Sequence, residues 1–244
     1  MEKILTEQSI ELIAGLITVV LTILSILSKV QLDKIKKKFD HDESDHDAIG
    51  VSLWCDRAVM DIIAESRVLN VATRSYVIRF HNGSYFTGRQ PIWKMSCSHE
   101  SVATGERYAT TEDIQNIPAS SLLDLVVPFW GSIVKGTKRL DIPNPETGGS
   151  TDPRNGVYYT SVATLDPSMA KQVLTNQGVS YMVSVPLVDP DDGRVLGLFG
   201  LDYGVEHSEQ EPFQSPMELK ATADRISYIL TRSTSREPEE KKKK

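Results

Sequence analysis

The chain has 244 residues, 40% hydrophobic and 25% charged, with a formal charge of −6. That balance fits an ordinary globular domain with something attached. An acidic chain with no basic face interleaved with aromatics argues against a nucleic-acid partner. Its two cysteines, Cys55 and Cys97, form no CxxC pair and exclude a disulfide framework. They read as two buried thiols in a reducing compartment, or as one optional bridge.

The first element is "IELIAGLITVVLTILSIL", Ile10 to Leu27, 18 residues whose one charge is Glu11. About 17–25 such residues cross a bilayer. Glu11 lies near one end and can reach the interface, and no small-residue cleavage site follows. Residues 1–28 are therefore expected to be an uncleaved single-span anchor. Ile10, Glu11, Gly15, Thr18, Thr22 and Leu27 mark the span, and Thr18, Thr22 and Ser25, with Glu11, give it a mildly polar stripe suited to helix association. Upstream, Lys3 stands against Glu2 and Glu7, whereas Lys29, Lys34, Lys36, Lys37 and Lys38 crowd the other flank. Basic residues resist translocation, so the C-terminal part is expected in the cytoplasm, on the inner membrane of a bacterial host. Lys34, Lys36, Lys37 and Lys38 can also touch anionic lipid heads.

Residues 29–45 read as a basic juxtamembrane helix followed by an acidic hinge. Val30, Leu32, Ile35 and Phe39 offer a short self-association seam, so a homo-oligomer is expected. "DHDESDHD", Asp40 to Asp47, is a solvated linker rather than a metal site despite His41 and His46.

From residue 46 to residue 233 the pattern is that of one domain. Residues 46–69 form an amphipathic helix. "RSYVIRFHN", Arg74 to Asn82, alternates as a strand, with Asn82-Gly83 as its turn. "PIWKMSC", Pro91 to Cys97, is a second strand. "IPASSLLDLVVPFW", Ile117 to Trp130, reads as a short helix, and residues 131–155 as a long loop. Gly156 to Ser161 is a third strand. A helix follows, with Asp166 as N-cap, Pro167 at its first position and Gly178 at its end. "SYMVSVPLVDPDDGRVLGLFGLDYG" is an antiparallel hairpin around "DPDDGR". A closing helix, 212–233, is expected to turn Met217, Leu219, Ala223, Ile226, Ile229 and Leu230 inward. Residues 234–244 form a charged tail expected to be disordered. The fold class is α+β: one antiparallel sheet with helices packed on it, preceded by one transmembrane helix.

"GVSYMVSVPLVDPDDGRVLGLFGLDY" resembles the closing hairpin of a GAF domain. "SYVIRFHNG" resembles the first sheet strand of that fold, and "KMSCSHESVATGE" its second strand. The resemblance covers roughly residues 46–233 and implies a GAF-like antiparallel sheet, a fold that serves many ligands or none. The "FHNG" and "SC-HE" pieces also resemble single-span proteins of tailed phages, and more weakly the T-even phage holins. A phage origin is implied. Those holins place the soluble domain in the periplasm, against the lysine cluster here.

The chemistry centres on "RFHNG" and "SCSHE". Regular alternation would put Cys97 and His99 on one face and Glu100 on the other. A nucleophilic dyad would still lack an orienting group and an oxyanion hole. His81, Cys97 and His99 match no common zinc spacing. P-loop, GxGxxG and GxSxG patterns do not occur. No enzyme, metal or cofactor is expected. Two readings remain. In one, His81 and Asn82 cap a strand and Ser96 to Ser98 line a packed face. In the other, Arg79, His81, Tyr85, Trp93, Lys94, Ser96 and His99 line a pocket for a small ligand or partner protein, under the short helix and long loop. Lys135, Lys138 and Arg139 would then belong to its lid.

Overall fold

The computed structural model describes residues 48–85, 91–132, 134–142, 152–204 and 214–234. The chain divides into units 1–49 and 50–244, and nearly every element below belongs to the second. Among the described residues no helix is long and apolar enough to cross a membrane. The expected span, basic cluster, acidic hinge and charged tail lie outside them.

Seven strands of the described residues form one antiparallel sheet in the order β3-β2-β1-β7-β6-β5-β4. They are β1 (Arg74–Tyr85), β2 (Pro91–Val102), β3 (Ile117–Pro118), β4 (Thr137–Asp141), β5 (Gly156–Ser161), β6 (Tyr181–Val188) and β7 (Val195–Tyr203). The helices are α1 (Ala48–Leu69), α2 (Ala109–Asp113), α3 (Leu123–Val126), α4 (Met169–Asn176) and α5 (Pro216–Thr234). The α+β class and the β6–β7 hairpin agree with the sequence expectation.

Strand parity sorts the core into two halves. Tyr76, Ile78, Met95, Cys97, Tyr158, Met182 and Leu198 face one side, where Leu122, Leu125, Val126, Phe129 and Leu174 pack on them. The opposite side carries α1. Its residues Cys55, Val59, Ile62 and Ile63 are buried at helical spacing, and Ser75 Oγ donates to the Ile63 carbonyl at 2.7 Å. Burying these apolar side chains stabilises each half by about 1.5–3 kcal/mol per large residue.

The centre of the sheet is the β1–β7 pair, and it depends on two glycines. A Cβ at Gly197 would collide with the Ile78 carbonyl oxygen, and one at Gly200 with the Tyr76 ring. Residues without a Cβ let the strands close there.

Several local expectations are corrected. β1 runs through Asn82-Gly83, which is therefore not the turn, and its pairing with β2 shifts between Asn82 and Tyr85. β2 extends past Cys97 to Val102. Ile117 to Trp130 is not one helix. It is a two-residue strand, a 3-10 turn, α3 and a second 3-10 turn. The 131–155 segment contains β4, whose five residues pair with β5 through Asp141↔Gly156. The helix after β5 begins at Met169 with Ser168 as its cap, accepting from the Lys171 amide, and not at Asp166-Pro167. Gly178 does hold the left-handed conformation just beyond it, at φ 72°. On α5, Leu219, Ala223, Ile226, Ile229 and Leu230 are buried, but Met217, in the first turn of the helix, is exposed.

Candidate functional site

β1 and β2 place the sequence candidates by parity. Arg79 pairs with Ser96 and His81 with Lys94, so all four share the α1 side of the sheet. They do not lie under the short helices and the 131–155 segment, as expected. Tyr76, Ile78 and Phe80 take that side, and its core fills it. Trp93 falls on the side of Met95 and is exposed, at 54%. Tyr85 ends β1, and its side chain lies outside the described residues.

The expected common face of Cys97 and His99 is also corrected. Ile78 pairs with Cys97 and Val77 with His99, which leaves Ser98 as an extra residue. A bulge of one residue reverses the parity beyond it. His99 therefore joins Arg79 on the α1 side, and Glu100 turns to the side of Tyr76 and Cys97. The Cys97 thiol donates to the His99 carbonyl at 3.3 Å and meets Thr111 Oγ1 at 3.6 Å. Burial pushes that thiol up to about 12, the reverse of what a nucleophile needs. Cys55 lies on α1, across the sheet from Cys97, and neither is in a disulfide. With Cys97 turned away, His81, Cys97 and His99 do not converge, and no metal-binding group of three occurs among the described residues.

The two polar clusters differ in kind. Ser96 Oγ accepts from the Asn116 amide at 2.8 Å and pairs with His81 Nε2 at 3.0 Å. That fastens β2 to the turn before β3 and is structural. His99 Nε2 meets Asp56 Oδ1 of α1 at 3.2 Å, and His99 Nδ1 meets Ser98 Oγ at 2.9 Å. Burial lowers the His99 imidazole below its ordinary value against the opposing pull of Asp56, and Arg79 lowers it further. Arg79 is itself half-buried. Desolvation lowers it from the usual guanidinium range, with Asp56 acting the other way.

Arg79 opens onto a cleft of about 330 Å³. Leu196 and Leu230 give it apolar walls, and Asp189, Asp191, Asp192, Arg194 and Thr231 polar ones, while Phe80 borders it from a strand position whose ring packs on Trp130. It forms where the β6–β7 turn meets the C-terminal half of α5. Local hydrogen bonds fix that turn. Gly193 sits at φ 72°, and its amide donates to the Asp189 carbonyl at 2.9 Å. The Asp191 amide donates to Asp189 Oδ1 at 2.9 Å, and Arg154 Nη1 donates to the Gly193 carbonyl at 2.8 Å. Arg194 pairs with Asp192 through Nε and reaches Asp189 Oδ2 from Nη2 at 3.5 Å. Of the seven sequence candidates, Arg79 alone is among the residues lining this cleft. The "DPDDGR" residues read in sequence only as a turn, and nothing there marked them as a wall.

A second polar group is fully buried on the other side. Arg74 Nε lies 3.4 Å from Asp202 Oδ2, and Tyr76 Oη donates to Asp202 Oδ1 at 2.9 Å. Arg74 Nη2 also donates to the Gln177 carbonyl at 2.9 Å. Glu100 accepts from the Thr110 and Thr111 amides at 3.0 and 2.8 Å, which anchors the start of α2. Nothing in the sequence pattern singles out these residues as a site.

No family model matches the sequence, and no curated protein matches it. Among solved structures the chain is similar to GAF domains. One is the phycoerythrobilin-bound GAF domain of a cyanobacterial phytochrome, at 19% identity and a TM-score of 0.49, covering 86% of this chain and 97% of that one. Another is a phycocyanobilin-bound GAF domain of a cyanobacterial phytochrome, at 17% identity and 0.49, covering 84% and 94%. A third is the blue-light-absorbing form of the PixJ GAF domain of Thermosynechococcus elongatus, at 18% and 0.43, covering 74% and 88%.

Proposed function

We propose that this chain is a non-enzymatic sensing and interaction module, a GAF-like domain held on a single N-terminal span and encoded by a phage. Its ligand is a small molecule bound in the Arg79 cleft, on the α1 side of the sheet. One observation carries the reading. Arg79 is half-buried at the wall of a cleft of about 330 Å³ and has no hydrogen-bond or ion-pair partner among the described residues. A guanidinium partly stripped of water and without a bonded counter-ion is a recognition group in waiting. Small-molecule sites combine apolar walls with a few placed polar groups in volumes of about 300–1,000 Å³.

The anchor and its orientation rest on the apolar run Ile10–Leu27 and the lysines that follow it. In this reading the domain lies in the cytoplasm of the host, on its inner membrane, and the chain self-associates. The test is thermal unfolding of the full chain in mild detergent against a library of small metabolites. A compound that raises Tm in the parent chain and leaves Arg79→Gln unmoved supports the reading. A library without a single hit counts against it. Reporter fusions at the C-terminus test orientation separately.

A second reading is a holin-like lysis protein whose span assembles into membrane lesions, with the domain as its regulator. The stripe of Thr18, Thr22 and Ser25, with Glu11, favours it. Abrupt growth arrest on expression, together with a periplasmic C-terminus, would place it first.

A further inference from the structure

The charges lining the cleft narrow its ligand, if it is the ligand site argued above. Two arginines, Arg79 and Arg194, stand with three aspartates, Asp189, Asp191 and Asp192. Arg194 is engaged by Asp192 and Asp189. Asp189 also accepts the Asp191 amide. Among the described residues the Asp191 carboxylate has no hydrogen-bond or ion-pair partner, and neither has the Arg79 guanidinium. The cleft thus presents one cation and one anion without a bonded partner, with the charge of Asp56 acting on Arg79 from α1.

A simple anion would satisfy Arg79 and meet the excess of carboxylates. A simple cation would satisfy Asp191 and meet Arg79. A ligand carrying both charges avoids either conflict. We propose that the cleft binds a zwitterion of the α-amino-acid class. Its carboxylate sits on the Arg79 fork, its ammonium on Asp191, and an apolar side chain lies against Leu196 and Leu230. Bidentate pairing with a carboxylate suits a guanidinium, while a carboxylate places no such demand on an ammonium. The volume of about 330 Å³ is at the lower end for small-molecule sites and suits a ligand of this size.

The experiment is isothermal titration of the full chain in mild detergent with the twenty protein amino acids, singly. Leucine is paired with its deaminated analogue 4-methylpentanoate and its decarboxylated analogue 3-methylbutylamine. The expected result is that an apolar amino acid binds, and that each leucine analogue binds roughly tenfold or more weakly than leucine. Asp191→Asn, a change on an exposed turn, weakens leucine by roughly tenfold or more and leaves 4-methylpentanoate unchanged. Arg79→Gln weakens leucine and 4-methylpentanoate and spares 3-methylbutylamine. If 4-methylpentanoate binds as tightly as leucine and Asp191→Asn changes nothing, the zwitterion is overturned while the ligand site stands. The zwitterion is likewise overturned if a non-zwitterionic metabolite binds through Arg79 and no amino acid does. If no compound binds and Arg79→Gln is silent throughout, the ligand site falls as well.

Discussion

Cys97 and His99 are two residues apart and face opposite sides of one sheet, because Ser98 is an extra residue in β2. The thiol and the imidazole therefore act separately. Cys97 is 4% exposed and pushed up to about 12 by burial, and Cys55 is 1% exposed. At about pH 8, where an ordinary thiol is partly ionised, neither cysteine should react with a disulfide reagent in the folded chain. Both should react once denaturant is added. Rapid labelling of Cys97 in the native protein would contradict this account of its surroundings.

The Arg74–Asp202 pair predicts a strong asymmetry between single and double substitutions. Asp202→Ala leaves a guanidinium buried without its counter-charge, at a cost of about 3–5 kcal/mol. The double substitution Arg74→Met with Asp202→Leu removes both charges and should recover more than half of that loss. Denaturant melts of the three proteins decide it. A double mutant as weak as the single one would mean that the hydrogen bonds of Tyr76 and Gln177, not charge balance, hold this corner.

Two buried groups should pull stability in opposite directions as pH falls. Burial raises Asp202 to about 6 from its ordinary 3.8, with the Arg74 charge and the Tyr76 hydrogen bond working against the rise. Between those values the folded chain keeps a proton that the unfolded chain has lost. This contribution is complete below the ordinary value and is lost as pH rises through about 6. His99 is lowered from 6.5 by burial. Its contribution is complete above that value and is lost as pH falls through the folded one. Tm measured against pH should lose its acid-side gain in Asp202→Asn and its acid-side loss in His99→Gln. Slopes of the reverse sign would show that other groups govern this range.

Gly197→Ala should destabilise far more than a surface change. The added Cβ meets the Ile78 carbonyl oxygen in the central strand pair. Overpacking against backbone costs about 1–3 kcal/mol or more, since backbone cannot rotate away. The loss would appear as a lower midpoint in denaturant, with Gly178→Ala an instructive control. A Cβ at Gly178 meets nothing within 4 Å, so only its left-handed backbone would resist.

Glu100→Ala should loosen α2 without unfolding the sheet. Both carboxylate oxygens accept amides at the start of that helix, and losing a cap of this kind costs about 0.5–2 kcal/mol. Hydrogen exchange would show the Thr110 and Thr111 amides losing protection, while those of β1 and β7 keep theirs.

The sequence carried the large elements and not the site. The β6–β7 hairpin was legible because apolar runs flank "DPDDGR", and α1 and α5 because their apolar residues recur at helical spacing. β4 was not, because "TKRLD" has one apolar residue and is held to β5 by backbone pairing rather than by a buried face. Ser98 was not either. An extra residue in a strand leaves no mark in composition, yet it decides which side every later residue faces. Arg79 was found as a polar residue in an alternating strand. Its neighbours in the cleft come from the β6–β7 turn and α5, and only the fold brings them to it.

The position of β7 also bears on how this chain can be synthesised. β1 and β7 are adjacent in the middle of the sheet, although Arg74 and Asp202, paired across them, stand near opposite ends of the domain. On the ribosome, β1 and β2 emerge first and must wait for β7 before the sheet can close. No shorter product ending before Val195 contains the strand that joins the two halves. A nonsense mutation there should yield an aggregation-prone fragment for proteolysis rather than a smaller working domain. Any N-terminal segment destined for a membrane would reach it well before the domain had folded.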